Sequence, residues 1–274
     1  MKKRLGGLLI VFSVPLLTLG FVAGQNSTAR SAAYVPPRAS DGHPDISGFW
    51  QALNTAPSFD IEDHAARVGV PAGYGVVEGG ALPYQESALE KKRANFNKRL
   101  TDDTVPKCFL PGVPRITYMP FPFQIIQTFP SKRGDPEFGL DRDLGIVISY
   151  EYLDAVRYIH TNGRPHPGHG DRWMGDSRAH WEGDTLVVDV TEFNEETWFD
   201  ASGNFHSDAL HVIERYTRTG PDTLKYEATI EDPKVFTRPW KMTIPLYRRQ
   251  EPQLRLLEYY CHAYREEDRL RSVK

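Results

Sequence analysis

Histidines, tryptophans and charged side chains concentrate in one stretch of the chain, between Arg157 and Arg215. Six of the nine histidines and three of the five tryptophans lie there, among many acids and arginines. Aromatic surfaces with convergent acids, bases and cations are what a small-molecule site requires. We therefore predict a polar and aromatic pocket built from residues 157–180 and 191–211.

General acid–base catalysis is the first chemistry that this stretch predicts. His206 and Asp208 alternate along a predicted strand, so their side chains share a face. A paired carboxylate holds an imidazole in one tautomer and raises its basicity. We predict His206 as the general base, Asp208 as the residue that orients it, and His166 or Asp176 as the acid.

The strand predicted to follow Asp208 carries ionisable side chains on both faces, Glu214 on one and Arg215 on the other. An unpaired charge that faces a barrel interior costs several kcal/mol. We therefore predict that Glu214 either pairs with Arg157 or takes part in catalysis, and that Arg157 or Arg215 clamps an anionic group. The alternative is that Glu214 and Arg215 face solvent and that His206 caps a turn.

Two of the tryptophans lie in predicted loops beside the polar residues, where their rings would stack on a flat or cyclic ligand. The other tryptophans are expected to fill the core. The predicted substrate-binding residues are Arg157, Arg215, Trp173, Trp198 and His211.

A metal site is an alternative for the same stretch. His166, His169 and Asp171 have suitable ligand types in a short loop, and His206 and Asp208 would add two more on one strand face. None of the standard zinc spacings is present, however, and histidines flanked by Pro and Gly are typical of a flexible turn. We predict no metal. No glycine-rich phosphate cradle is present either, so no organic cofactor is predicted.

Two fragments, Gly175–Ser177 and Asp208–His211, match the nucleophile and Asp-x-x-His blocks of GDSL-type esterases. In those enzymes the serine block opens an α/β domain and the other block closes it. Here the blocks lie about 30 residues apart in a β-rich context, so we interpret the match as coincidence.

Short runs of alternating apolar and polar residues, separated by turn residues, predict strands from Ser47 onward. Eight to ten antiparallel strands joined in sequence predict an all-β fold, a meander closed as a barrel, with a sandwich as the alternative. The predicted hairpins are Leu144–Glu151 with Ala155–His160, Ala179–Glu182 with Thr185–Val190, Asp208–Thr219 with Thr223–Glu231, and Trp240–Tyr247 with Leu254–Tyr260.

One helix is predicted N-terminal to most of the strands and outside the barrel, from Gln85 to Leu100, with an apolar stripe that includes Leu89 and Phe96. The seven prolines between Pro106 and Pro136 cannot occupy central strands. That stretch is expected to wrap one end or one edge of the sheet.

Four segments together resemble a family of exported bacterial proteins whose members are mostly uncharacterised. They are DGHPDISGFW at 41–50, WMGDS at 173–177, WEGDTLVVD at 181–189 and HSD at 206–208. The resemblance covers nearly all of Asp41–His262. It implies export and a lipocalin-like β-barrel, and it assigns no activity to particular residues.

The N-terminus has the pattern of an export signal. Met1–Arg4 is basic, Leu5–Ala23 is apolar, and small residues precede Gln25, so residues 1–24 are predicted to be a cleaved signal peptide. An uncleaved membrane anchor is the alternative. Residues 25–40 are predicted to be a disordered linker and residues 41–274 a single domain, in a periplasmic or secreted protein.

The net charge bears on the class of binding partner, and the cysteine content bears on a disulfide. The net charge of −3 does not favour nucleic acid or an anionic membrane surface. After export, Cys108 and Cys261 are expected to form a disulfide between an early segment and the last strand. Such a bridge would stabilise the fold by roughly 5 kcal/mol through chain entropy. Two separate buried thiols are the alternative.

These features predict an exported enzyme of lyase, isomerase or hydrolase type that acts on a small apolar or aromatic molecule. A periplasmic binding or carrier protein that uses the same pocket without turnover is the alternative. A structural or interaction protein of the cell envelope is the third hypothesis.

Overall fold

The computed structural model describes residues 34–67, 70–128, 144–168 and 170–262, together with Glu266, Arg269 and Arg271. The predicted signal peptide, most of the predicted linker and His169 lie outside these residues. In the described part of the chain, no helix combines the length and apolar character of a membrane span. The last residues of the predicted linker contact the domain, because Arg38 Nη1 lies 2.6 Å from Asp184 Oδ1.

In the described residues, nine strands pair in chain order and close into a barrel, which confirms the predicted β-barrel. The barrel closes because β1 pairs with both β2 and β9. The strands are β1 (Gly48–Ala52), β2 (Phe123–Gln127), β3 (Leu144–Tyr150), β4 (Val156–His160), β5 (Asp176–Glu182), β6 (Thr185–Thr191), β7 (His211–Gly220), β8 (Thr223–Glu231) and β9 (Trp240–Arg248).

The sheet is mixed, whereas the sequence predicted a purely antiparallel meander. β4 and β5 are parallel and share only two paired positions, Ile159 with Ser177 and His160 with Arg178. A parallel neighbour requires a connection that runs back along the sheet. Residues 161–175 make that connection, and they bring His166 to the outer face of β5.

The fourth predicted hairpin is wrong, because residues 254–260 form no strand. β9 already has a neighbour on each side, β8 and β1, so it has no free edge for another strand. The C-terminal segment runs instead past Tyr152, whose ring centroid lies 5.4 Å from that of Tyr259. The predicted disulfide joins Cys108 to Cys261, which follows this segment and lies outside the sheet.

Helix α1 (Glu86–Asn97) and the short α2 (Arg99–Asp102) lie close to the predicted helical range. The predicted apolar stripe is not buried, since Leu89 is exposed and Ala88 is the buried residue of α1. The helix approaches the loop after β6 closely at Gly203. A Cβ atom added there would lie 2.7 Å from the Cβ of Asn95, so only glycine fits.

Side chains of the strands fill the centre of the barrel. Along β7 and β8 every second residue is buried, as expected for a sheet with one face on a core. The space between Ile46, Ile125, Ile148, Leu186 and Tyr216 measures about 140 Å³ and holds no position for a water molecule. A ligand site must therefore be sought outside this central space.

Candidate functional site

The structure distributes the predicted site residues over separate places. One group, His166, Asp176 and His211, meets on the outer face of β5–β7, and a second, Arg157 and Glu214, pairs inside the barrel. His206 and Trp198 are buried in the segment between β6 and β7. The others lie at separate surface positions: Asp208, Arg215 and Trp173.

The outer-face group depends on strand register. Arg178 of β5 lies opposite Asp189 of β6, and His211 of β7 lies opposite Glu231 of β8. These positions alternate with buried ones, so their side chains point away from the barrel core. With His166, which lies on the 161–175 connection, they form the histidine–carboxylate cluster.

Asp176 is the fixed point of this cluster. His166 Nδ1 lies 2.8 Å from Asp176 Oδ2, and Arg178 donates from Nε at 2.6 Å and from Nη2 at 3.3 Å. Partial burial raises the pKa of Asp176, but the hydrogen bonds from Arg178 and His166 outweigh it and lower that pKa below its usual value. The lowered pKa favours the ionised carboxylate, which orients His166 and is poorly suited to the predicted role as an acid.

The other nitrogen of His166 is uncommitted. Nε2 is shielded from solvent and has no hydrogen-bond partner among the described groups. The nearest carboxylate atom, Asp189 Oδ1, lies 3.5 Å away and is bound at 2.7 Å by His211 Nε2. The Nδ1 atom of His211 lies 3.4 Å from Glu231 Oε2. The imidazoles of His166 and His211 thus lie on either side of the Asp189 carboxylate. Asp176 binds the first imidazole, and Asp189 binds the second.

Within the described residues, no group of three His, Cys, Asp or Glu side chains has the arrangement of a metal site. His169, one of the ligands considered above, lies outside those residues. The cluster as described provides proton donors and acceptors.

The predicted pairing of Arg157 with Glu214 is confirmed. The two side chains form a buried ion pair through Arg157 Nη2, and Nη1 lies 3.2 Å from Glu214 Oε1. Tyr216 and Tyr226 donate their hydroxyls to the same oxygen at 3.1 and 2.8 Å. Arg157 Nε donates to Ser177 Oγ at 3.0 Å, so the serine of the GDSL-like fragment points inward. This network is sealed from solvent and is structural.

The predicted His206–Asp208 pair does not form. His206 is 1% exposed, with Nδ1 at 2.9 Å from the Ser207 carbonyl oxygen and Nε2 at 2.7 Å from Thr197 Oγ1. Asp208 is exposed and binds Lys234 Nζ at 2.6 Å. The alternation fails because β7 begins at His211, after a turn. Burial lowers the pKa of His206, which favours a neutral imidazole.

His206 is expected to stabilise the fold, contrary to its predicted role as a base. His206→Ala removes two hydrogen bonds and leaves a cavity beside Phe193 and Phe199, so the free energy of unfolding should fall by about 2–4 kcal/mol. Urea denaturation followed by circular dichroism measures this. The exposed His180 provides the matched control, since His180→Ala should change stability by less than about 0.5 kcal/mol. Equal stability of both variants would contradict the structural role.

The remaining predicted binding residues, Arg215, Trp198 and Trp173, lie at three different places in the structure. Arg215 Nη2 lies 2.9 Å from Glu182 Oε2 on the outer face, an exposed pair that leaves no free anion clamp. Trp198 is 7% exposed and belongs to the core, so its predicted stacking role is wrong. Trp173 is half-buried and lines a cleft, with its ring 5.4 Å from that of Phe109.

A second cleft, beside α1, was not predicted. It encloses about 760 Å³ and is lined by side chains of both charges from residues 60–67 and α1. Asp60 binds Arg67, and Glu62 Oε2 lies 2.5 Å from Lys92 Nζ. A run of basic residues on a helix is usually a solvated face, so the basic residues of α1 do not by themselves indicate this cleft.

A buried carboxyl group, Asp200, lies behind this cleft. It accepts hydrogen bonds from the backbone N–H of Ile61 at 2.9 Å and from Asn204 Nδ2 at 2.6 Å. Asn204 Nδ2 is also 3.5 Å from Asp60 Oδ1 and so links the two carboxyl groups. Burial and the charge of Asp60 raise the pKa of Asp200 to about 7. No sequence spacing connects Asp60 to Asp200.

Comparison with protein-family models, with curated proteins and with solved structures found no significant match.

Proposed function

We propose that this chain is an exported small-molecule enzyme of acid–base type, a lyase, isomerase or hydrolase. The observation that carries the proposal is the His166–Asp176 pair. Asp176 is immobilised by two bonds from Arg178 and accepts the Nδ1 proton of His166. This arrangement fixes the tautomer that leaves a basic lone pair on Nε2, an atom with no hydrogen-bond partner among the described residues.

His166 would act as the general base and would take a proton from the substrate at Nε2. His211, bound to Asp189 at 2.7 Å, would supply a proton to the leaving or rearranging group. Enzymes usually assign the acid and the base roles to two titratable groups that lie in different environments. Because Nε2 is shielded, a substrate reaches it only after the segment that carries His166 shifts.

The sequence-based expectations supply the cellular compartment and the fold type that we propose for this site. We infer export to the periplasm or the exterior from the N-terminal signal pattern and from the resemblance to exported bacterial proteins. The Cys108–Cys261 disulfide is compatible with such an oxidising compartment. We propose a lipocalin-like relationship on the basis of the resemblance above; the pairing of the strands in chain order around a closed barrel supports it, and the centre is filled by side chains of the barrel.

Ligand binding without turnover is the second candidate, and the cleft beside α1 favours it. Both Asp60 and Glu62 are already paired with cations there, so neither is a free base or nucleophile. Such a surface suits a polar ligand that is held and released.

The enzyme hypothesis predicts a specific loss in His166→Ala. We would assay p-nitrophenyl esters, aryl lactones and enolisable aryl ketones from pH 5 to 8. For any compound that the native protein turns over, the variant should lower kcat about 10²–10⁴-fold, the usual contribution of a general base. Asp176→Asn should lower kcat less, because it removes only the orientation of His166.

The control is His180→Ala, which removes an outward-facing histidine of β5 that pairs with Glu182 at 3.1 Å. Its kcat should match that of the native protein. Turnover that survives in His166→Ala would overturn the proposal. Saturable binding without turnover of any compound would replace the enzyme by the binding protein.

A further inference from the structure

The cleft that Trp173 lines lies beside the disulfide and encloses about 460 Å³, a size typical of small-molecule sites. Unlike the cleft beside α1, it has no carboxylate, lysine or arginine among its described lining residues. Its walls are Cys108, Phe109, Leu110, Leu153, Trp173 and His262.

The walls come from four distant parts of the chain: residues 108–110, Leu153, Trp173 and His262. The disulfide fixes Cys261, so the imidazole of His262 lies 6.4 Å from the ring of Phe109. On the other side, the Trp173 ring meets Phe109 at 5.4 Å with a tilt of 50°. The cleft therefore exists only where the C-terminal segment is held against residues 108–110.

The backbone at this cleft has an unusual conformation. Cys108 and Leu153 both have positive φ, at 62° and 57°, although neither is glycine. Such residues cluster at sites where the surrounding structure holds a surface in a fixed shape. Two of the six walls are thus set by backbone conformations that a free loop would rarely adopt.

We propose that this cleft binds a neutral, flat aromatic molecule that carries one hydrogen-bonding substituent, such as a phenol. The apolar and aromatic walls match such a ring, and Phe109 is 45% exposed, so a ligand would cover a large apolar side chain. The described lining residues include no acid, lysine or arginine, which is complementary to an uncharged ligand. Among the described lining residues, His262 is the side chain with both a ring N–H and a ring acceptor for the substituent.

The binding site is independent of the proposed acid–base function, although residues 161–175 carry both Trp173 and His166.

Fluorescence of the neutral probe N-phenyl-1-naphthylamine measures binding directly. We expect saturable binding that 2-naphthol displaces at pH 8, and 2-naphthoate should bind at least about tenfold more weakly because the described lining residues offer no counter-charge. Trp173→Ala should raise Kd about tenfold or more through the loss of an aromatic wall. Trp181→Ala is the matched control, because Trp181 stacks on His43 at 5.0 Å instead of lining this cleft, and its Kd should stay within about twofold.

Two further variants test the composite wall. His262→Ala keeps the disulfide, and it should weaken 2-naphthol more than naphthalene. Cys108→Ser with Cys261→Ser should weaken both, because it frees the C-terminal wall. Equal Kd values for Trp173→Ala and the native protein, or tighter binding of 2-naphthoate than of 2-naphthol, would overturn the proposal. The same titration on His166→Ala separates the two proposals, because probe binding should persist there even if turnover is lost.

Discussion

Glu214→Gln should lower the free energy of unfolding by about 3–5 kcal/mol, the usual cost of breaking a buried ion pair by removing one charge. The variant leaves the Arg157 guanidinium uncompensated inside the barrel, where Glu214 is 0% exposed. Burial lowers the pKa of Arg157, but the charge of Glu214 raises that pKa by a larger amount. The pKa of Arg157 therefore lies well above its usual value, and the guanidinium stays charged. Proteins are stable by only about 5–15 kcal/mol, so this loss is a large fraction.

Urea denaturation followed by far-UV circular dichroism, with the disulfide kept oxidised, measures the effect. Tyr226→Phe is the matched control, because it removes one hydrogen bond to the same carboxylate and should cost only about 1 kcal/mol. Arg157→Met combined with Glu214→Leu should recover part of the loss, since no unpaired charge remains. A Glu214→Gln variant within about 1 kcal/mol of the native protein would show that the pair does not stabilise the interior.

The sequence predicted this pair because strand alternation is a local property. Once β7 is recognised, Glu214 falls on the same face as Val212 and Tyr216, which are apolar or aromatic and therefore inward. A carboxylate on that face needs a cation, and Arg157 on β4 is one that reaches it. The barrel and the disulfide were predictable for similar reasons, from repeated alternation and from an even number of cysteines.

The alternation argument fails where a strand begins later than its pattern suggests. The apolar and polar pattern that starts at His206 looks continuous with β7, but the chain turns between Ser207 and Leu210, where Leu210 N donates to the Ser207 carbonyl oxygen at 3.2 Å. His206 therefore faces the core while Asp208 faces solvent. The C-terminal pattern failed for a different reason, since strand propensity cannot reveal that β1 already occupies the edge of β9.

The histidine–carboxylate cluster could be predicted from the sequence only in part. Its residue types were recognised, but the partner of each was not, because His166 reaches Asp176 through a parallel connection whose path the sequence does not specify. The pairing of Asp60 with Asp200 was beyond prediction altogether. Two loops separated by about 140 residues meet there, and loop packing has no periodicity to read.

The second large effect expected from the structure is a dependence of stability on pH that originates at Asp200. Burial and the Asp60 charge raise the pKa of Asp200 to about 7 in the folded chain, from 3.8 as a free side chain. Between these values the folded state keeps a proton that the unfolded state releases. The free energy of unfolding should therefore fall as pH rises from about 4 to about 7, by about 1.4 kcal/mol per pH unit and about 4 kcal/mol in total.

Urea denaturation at half-unit steps from pH 4 to pH 8 measures this slope, and the difference between variants isolates the contribution of one group. Asp200→Asn should remove the slope, and Asp60→Asn should reduce it, because the neighbouring charge that raises the Asp200 pKa is gone. Glu62→Gln lies in the same cleft but is not among the groups that shift Asp200, so it should keep the native slope. If Asp200→Asn shows the same slope as the native protein, the buried carboxyl is ionised throughout. Its four N–H hydrogen bonds would then outweigh burial and the repulsion from Asp60.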